Sequence, residues 1–149
     1  MIDLRPATDK DKPFLVDLQR DAYRAVVLEQ FGAWDDDFQA AHFEEKWQAQ
    51  NYRIIERDGK RIGAIWTSRE PNHLWLREIQ IASTYRNRGT GSELIQALID
   101  EARASGLPLR LRVLTANRAK ALYERLGFRT TGMHENTHYW MEYSHSPVS

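Results

Sequence analysis

The chain contains no cysteine. That excludes a disulfide framework, a cysteine nucleophile and a thiolate metal centre, and it fits a reducing compartment. It also lacks an excess of either charge: 21 Lys and Arg face 21 Asp and Glu. Nothing in that balance points to a nucleic-acid binder acting through bulk charge. Basic residues cluster only in "RNR" (86–88) and "RLR" (110–112). Purely apolar runs extend no further than a few residues, as at 25–28, so none spans a membrane. The opening "MIDLRPATDK" is acidic at once and has no apolar signal region. A cytoplasmic protein with no membrane or nucleic-acid partner is expected.

What is present is an ordinary globular composition, 42% hydrophobic and 28% charged. At 149 residues the expectation is one domain, 1–149, large enough for a core without staples. Residues 2–7 read as a strand. Thr8 then offers an N-cap with Asp11 as its capping-box partner. Phe14, Leu15, Leu18, Ala22 and Val26 recur at helical spacing and predict a helix over about 9–29, broken by "FGAW". Asp35, Asp36 and Asp37 open a second helix with Phe38, Ala41, Phe43 and Trp47 on its apolar side. Asp58-Gly59 is a type I′ signal between strands 52–57 and 60–68. A third strand, 73–82, alternates, with Leu74, Leu76, Glu78 and Gln80 on one face.

The stretch "YRNRGTGSE" follows that strand, and an apolar stripe of Leu94, Ile95, Leu98, Ile99 and Ala102 follows the stretch. The helix it predicts ends at Gly106 with Pro108 beyond. A strand over 108–114, a short helix over 117–127 capped by Asn117, and strands "FRTTGMH" and "THYWMEY" complete an order β-α-α-β-β-β-α-β-α-β-β. The fold class is α/β with a mixed sheet.

A Gly-rich turn at a helix N-terminus is a place for an anion. A Walker loop needs Gly-Lys-Ser/Thr, which is absent. A dinucleotide fingerprint needs a third glycine where Leu94 stands. What remains is Arg86-x-x-Gly89-x-Gly91. Backbone N–H groups of Asn87, Arg88, Gly89, Thr90, Gly91 and Ser92, two arginines and a helix dipole would suit a pyrophosphate. A plain strand-to-helix turn with solvated arginines is the alternative.

Arg-x-x-Gly-x-Gly, a helix, a strand, then "NRAKALYERLGF" in that order resembles the GCN5-related N-acetyltransferase (GNAT) superfamily. "LRPATDKD" near the start is also similar to the family's opening. The resemblance runs through the whole element order and is sharpest over 76–128. It implies a mostly antiparallel sheet of six or seven strands, splayed into a V between the fourth and fifth, with about four helices. It implies acetyl-CoA as acyl donor, no metal, and transfer to a primary amine of a small molecule or peptide in a ternary complex. Carried over by position, Arg86 to Ser92 grip the pyrophosphate. The Ile79 N–H binds the acetyl carbonyl, the Ile81 main chain pairs with pantetheine, Asn117 lies near pantetheine and Tyr123 near the sulfur. Asn117 and Tyr123 are six positions apart, one fewer than in the commonest family pattern.

Amine attack on a thioester needs a base and an acid. Glu78, on a strand rich in apolar residues, is the base candidate, because burial would raise its pKa. An ion pair with Arg77, Arg110 or Arg112 is the competing reading. Tyr123 is the acid candidate, against simple packing between Leu122 and Phe128. His134 and His138 lie on the last two strands as alternative bases or substrate contacts. His42, His73 and His145 read as surface residues. On the acceptor side Trp34, Asp35, His138 and Trp140 are the candidates, and aromatics beside carboxylates suit a cation. A homodimer through a strand edge or through exposed aromatics fits the pattern. A CoA-binding sensor without turnover is the second function class considered.

Overall fold

The computed structural model describes residues 2–144, so His145 lies outside it. The elements follow the order expected: β1 Ile2–Pro6, α1 Lys12–Phe31, α2 Asp36–Lys46, β2 Arg53–Arg57, β3 Lys60–Arg69, β4 Leu74–Ile81, α3 Thr90–Ser105, β5 Leu109–Leu114, α4 Ala119–Arg125, β6 Arg129–His134 and β7 His138–Tyr143. The seven strands form one sheet in the order β1-β2-β3-β4-β5-β7-β6. It is mostly antiparallel. β4 and β5 run parallel, in the register Leu74↔Leu109 and Trp75↔Arg110. The chain divides into two compact units. One holds the residues up to Trp66 with Glu78–Arg86, the other Thr67–Arg77 with the residues from Asn87 on.

In the first unit, Asp58 and Gly59 both take positive φ, 53° and 76°, which makes the type I′ turn joining β2 to β3. The capping box at Thr8 forms: the Asp11 carboxylate accepts the Thr8 N–H at 2.9 Å. A 3-10 turn over Asp9–Asp11 precedes the α-helix proper, so α1 starts later than the periodicity alone predicts. The same carboxylate takes two bonds from the Arg5 guanidinium, each 2.9 Å, and this holds it well below the usual carboxylate range. The core of this unit gathers Leu15 and Leu18 of α1 against Tyr52, Ile54 and Ala64. Phe43, Trp47, Tyr52 and Trp66 run as a chain of ring contacts, 5.5, 5.8 and 5.5 Å between centroids. Phe38, placed among the apolar positions of α2 by periodicity, is instead 61% exposed and stacked on His42. β3 approaches β4 closely at Gly63, where a Cβ would lie 2.3 Å from the Gln80 carbonyl oxygen.

In the second unit, all five residues of the predicted apolar stripe of α3 are buried. Leu109, Leu111, Val113 and Met141 are buried with them. Arg103 of α3 bonds the Tyr143 hydroxyl at 3.2 Å, and Lys120 of α4 sits 4.7 Å over the Tyr139 ring. Both helices therefore pack on the sheet face that carries Val113, Tyr139, Met141 and Tyr143.

Candidate active site

Two residues of the first unit meet at the base candidate. Glu78 is half-buried, and the Tyr52 hydroxyl donates to its Oε2 at 2.6 Å. Burial pushes the Glu78 pKa up, opposed by the Tyr52 bond, by Lys46 and by the nearby Gln80 amide. The charge on Glu78 pushes the Tyr52 phenol up in turn, after burial itself. The sheet arginines are not its partners. Arg77 reaches Ser68 and Glu70, and Arg110 reaches Glu142 at 2.7 Å. The sequence reading did not single out Tyr52 as a partner of Glu78. Strands β2 and β4 are separated in the sheet by β3, so no local pattern pairs positions 52 and 78. Gln80 is 3% exposed, and its Nε2 closes no hydrogen bond among the described residues, although it lies near enough to favour the Glu78 charge.

Ile79 and Ile81 follow on β4, both half-buried. The Ile81 carbonyl accepts from Arg86 Nε at 2.8 Å, and an Arg86 terminal nitrogen lies 3.5 Å from Asp21. The arginine is thus anchored at the strand's end, with its side chain 39% exposed. On the α1–α2 connection, the Trp34 indole donates to Asp36 at 2.7 Å, and Asp35 caps α2 by accepting the Phe38 N–H at 3.0 Å.

The second unit holds the glycine loop. Asn87 and Gly89 have φ of 62° and 79°, and Arg88 between them is negative. Alternation of that kind turns successive N–H groups toward one side. Gly89 is the cap of α3 and supplies no side-chain bond to it. The N–H groups of Gly91 and Ser92 stand in the first turn, where a helix offers no internal acceptor. A Cβ at Gly89 would meet nothing within 4 Å, whereas one at Gly91 would touch Leu122 at 3.7 Å. Thr90 is buried. α4 runs from Ala119 to Arg125 with Arg118 rather than Asn117 as its N-cap, because the Asn117 side chain turns on its own loop and accepts the Ala119 N–H at 2.9 Å.

Tyr123 is the buried residue of α4, 7% exposed, with its ring 5.6 Å from that of Phe128. Burial pushes its phenol up to about 12. His134 and His138 lie 6.0 Å apart, and His138 Nδ1 is 2.8 Å from the Thr137 hydroxyl. Burial, then Arg112, lowers the His138 pKa. His42 and His73 are half-buried rather than on the surface. His73 packs edge-on to Trp75 and bonds Arg110 at 3.4 Å. No group of three or more potential metal ligands occurs among the described residues. No described helix is long and apolar enough to cross a membrane.

The profile of the acetyltransferase (GNAT) family matches residues 13–128, and the chain belongs to that family. Acetyl transfer is the general activity this membership carries. No curated protein sequence matches the chain. Among solved structures, the PaiA N-acetyltransferase from Thermoplasma acidophilum, in complex with coenzyme A, superposes with a TM-score of 0.78 at 17% identity, over 97% of this chain and 99% of that one. An acetyltransferase from Thermus thermophilus gives 0.72 at 19%, over 95% and 96%. The ribosomal-protein-S18-alanine N-acetyltransferase from Escherichia coli gives 0.63 at 22%, over 96% and 93%. At these identities the likeness is one of fold.

Proposed function

We propose that the chain is an acetyl-CoA-dependent N-acetyltransferase that moves the acetyl group to a primary amine of a small molecule or peptide by direct attack. The observation that carries this beyond family membership is Glu78: a carboxylate raised by burial yet hydrogen-bonded to Tyr52. A surface acid paired with an arginine would have no such shift. An amine at an ordinary pKa near 10.4 costs about 4.6 kcal/mol to deprotonate at pH 7. A carboxylate with its pKa raised toward neutrality is a better-matched acceptor for that proton than one at 4.3.

In this reading the pyrophosphate lies on the N–H groups of residues 87–92 with the charges of Arg86 and Arg88. Pantetheine runs along the β4 main chain at Ile81, past Asn117, and the Ile79 N–H faces the acetyl oxygen. The free amine attacks the thioester carbon, and its surplus proton passes to Glu78, directly or through water. The C–S bond then breaks and sulfur leaves with the electron pair. Tyr123 meets that sulfur. A phenol at about 12 holds its proton more tightly than a thiol near 8.5, so transfer to a free thiolate is uphill. Burial raises the thiol as well, which narrows the gap. The hydroxyl then lowers the barrier by hydrogen-bonding the departing sulfur as charge builds, and once it has given up its proton the phenolate is reprotonated from solvent.

The test is release of free CoA thiol on mixing the protein with acetyl-CoA and a panel of amino acids, polyamines, aminoglycosides and peptides. Thiol release dependent on one acceptor class, with the acetylated product seen by mass, supports the proposal. CoA binding with no turnover on any acceptor would leave a binding module.

A further inference from the structure

The second unit has a sheet face that neither of its helices covers. The strand registers define it. Arg110 stands opposite Trp75 and Glu142, Arg112 opposite Trp140, and Leu114 opposite His138. Directly opposed residues share a face, and this is the face away from Val113, Tyr139 and Met141. Trp75 and Trp140 are half-buried and touch, with centroids 5.5 Å apart, and His134 meets the Trp140 ring edge-on at 5.4 Å. An apolar ledge thus sits in the middle of a polar sheet.

The charge around the ledge is basic. Arg77 and Arg110 are matched by Glu70 and Glu142. Arg112 is exposed and enters no ion pair among the described residues, and Arg129, in register with Glu142, likewise enters none. Burial, then Arg112, lowers the pKa of the neighbouring His138.

We propose that this face binds the acyl acceptor, and that the acceptor is a small aromatic amine bearing a carboxylate, its ring on Trp140 and its carboxylate on Arg112. This deepens the acetyltransferase reading and rests on it. Trp140 and Arg112 are a directly opposed pair, with Cβ atoms about 5 Å apart. That separation suits a ring and a carboxylate one short linker apart. A guanidinium with no competing acid offers two parallel N–H donors. A polyamine would meet the same surface as repulsion.

The test is calorimetric titration of the CoA-saturated protein with phenylalanine, and with phenethylamine, which lacks only the carboxylate. Phenylalanine should bind more tightly by about tenfold or more. Arg112→Gln should lose that advantage and leave phenethylamine affinity unchanged, and Arg112→Lys should keep part of it. Because Arg112 is exposed and unpaired, a thermal melt of Arg112→Gln should match wild type. Equal binding of the two probes, absence of binding, preference for spermidine over phenylalanine, or an unchanged Arg112→Gln would each overturn the proposal. Thiol release with other amines would then leave the acetyltransferase reading standing. Phenylalanine binding without thiol release on any amine would sink that reading and leave the site.

Discussion

Glu78 and Tyr52 form a pair whose two members pull on one proton equilibrium. Burial raises the Glu78 pKa, while the Tyr52 hydroxyl stabilises the charged form and holds the rise in check. The base proposed at Glu78 would work deprotonated, so the acid limb of kcat/KM should lie above the ordinary carboxylate range. Tyr52→Phe removes the bond that favours the carboxylate, so this limb should move to higher pH. A limb that stays put in Tyr52→Phe would show that Glu78 does not set it. Glu78→Gln should abolish the limb and lower the rate about 10²–10⁴-fold. Stability gives an independent reading. A raised folded pKa contributes stability at low pH that is lost as pH climbs through the folded value. Melts from pH 4 to 8 should therefore shift in favour of Glu78→Gln as pH rises. Tyr123 is the other residue to test. Tyr123→Phe keeps the ring against Phe128 and should change stability by no more than about 1.5 kcal/mol. Turnover should fall about 10²-fold or more, with CoA affinity held within a few-fold. Normal turnover would leave solvent as the proton donor, and a collapsed melting temperature would make Tyr123 a packing residue.

The glycine loop and α3 act as one element. Gly89 needs φ of 79° to cap the helix without a side chain, and the space around its missing Cβ is open. A substitution there carries about 1–2 kcal/mol of left-handed backbone cost and meets no steric block. Gly89→Asp should therefore fold and place a carboxylate where the pyrophosphate is proposed to sit. Calorimetry on the folded variant should show CoA binding abolished, and affinity within about threefold of wild type would remove the loop from the donor site. This element was largely legible in the sequence. The loop residues, the stripe and Gly106 are contiguous, and local rules of backbone conformation and period 3.6 govern each. The start of α1 was less so, because a 3-10 turn and an α-turn satisfy the same capping box and no local signal separates them. Phe38 fell on the wrong side for a similar reason: periodicity identifies a stripe, and packing decides whether anything covers it.

For the whole molecule, ligand binding should read out as stability. CoA at a hundred times its Kd should add about 2.7 kcal/mol, which for a chain of this size raises Tm by about 5–10 °C. A melt unmoved by CoA would show that the folded chain does not hold it. At this scale the division between sequence and fold is clear. Element order, the hairpin turns at Asp58-Gly59 and Glu135-Asn136, and the family's motif order were determined by the sequence alone, since each depends on neighbours within a few positions. The partner of Glu78, the burial of Gln80 and the lack of an ion pair at Arg112 among the described residues were decided only by tertiary structure. Each depends on which strand lies beside which, and on how much water that leaves around a charge. Hydrophobic period and turn chemistry specify an element, but burial and pairing are properties of contacts between residues distant along the chain.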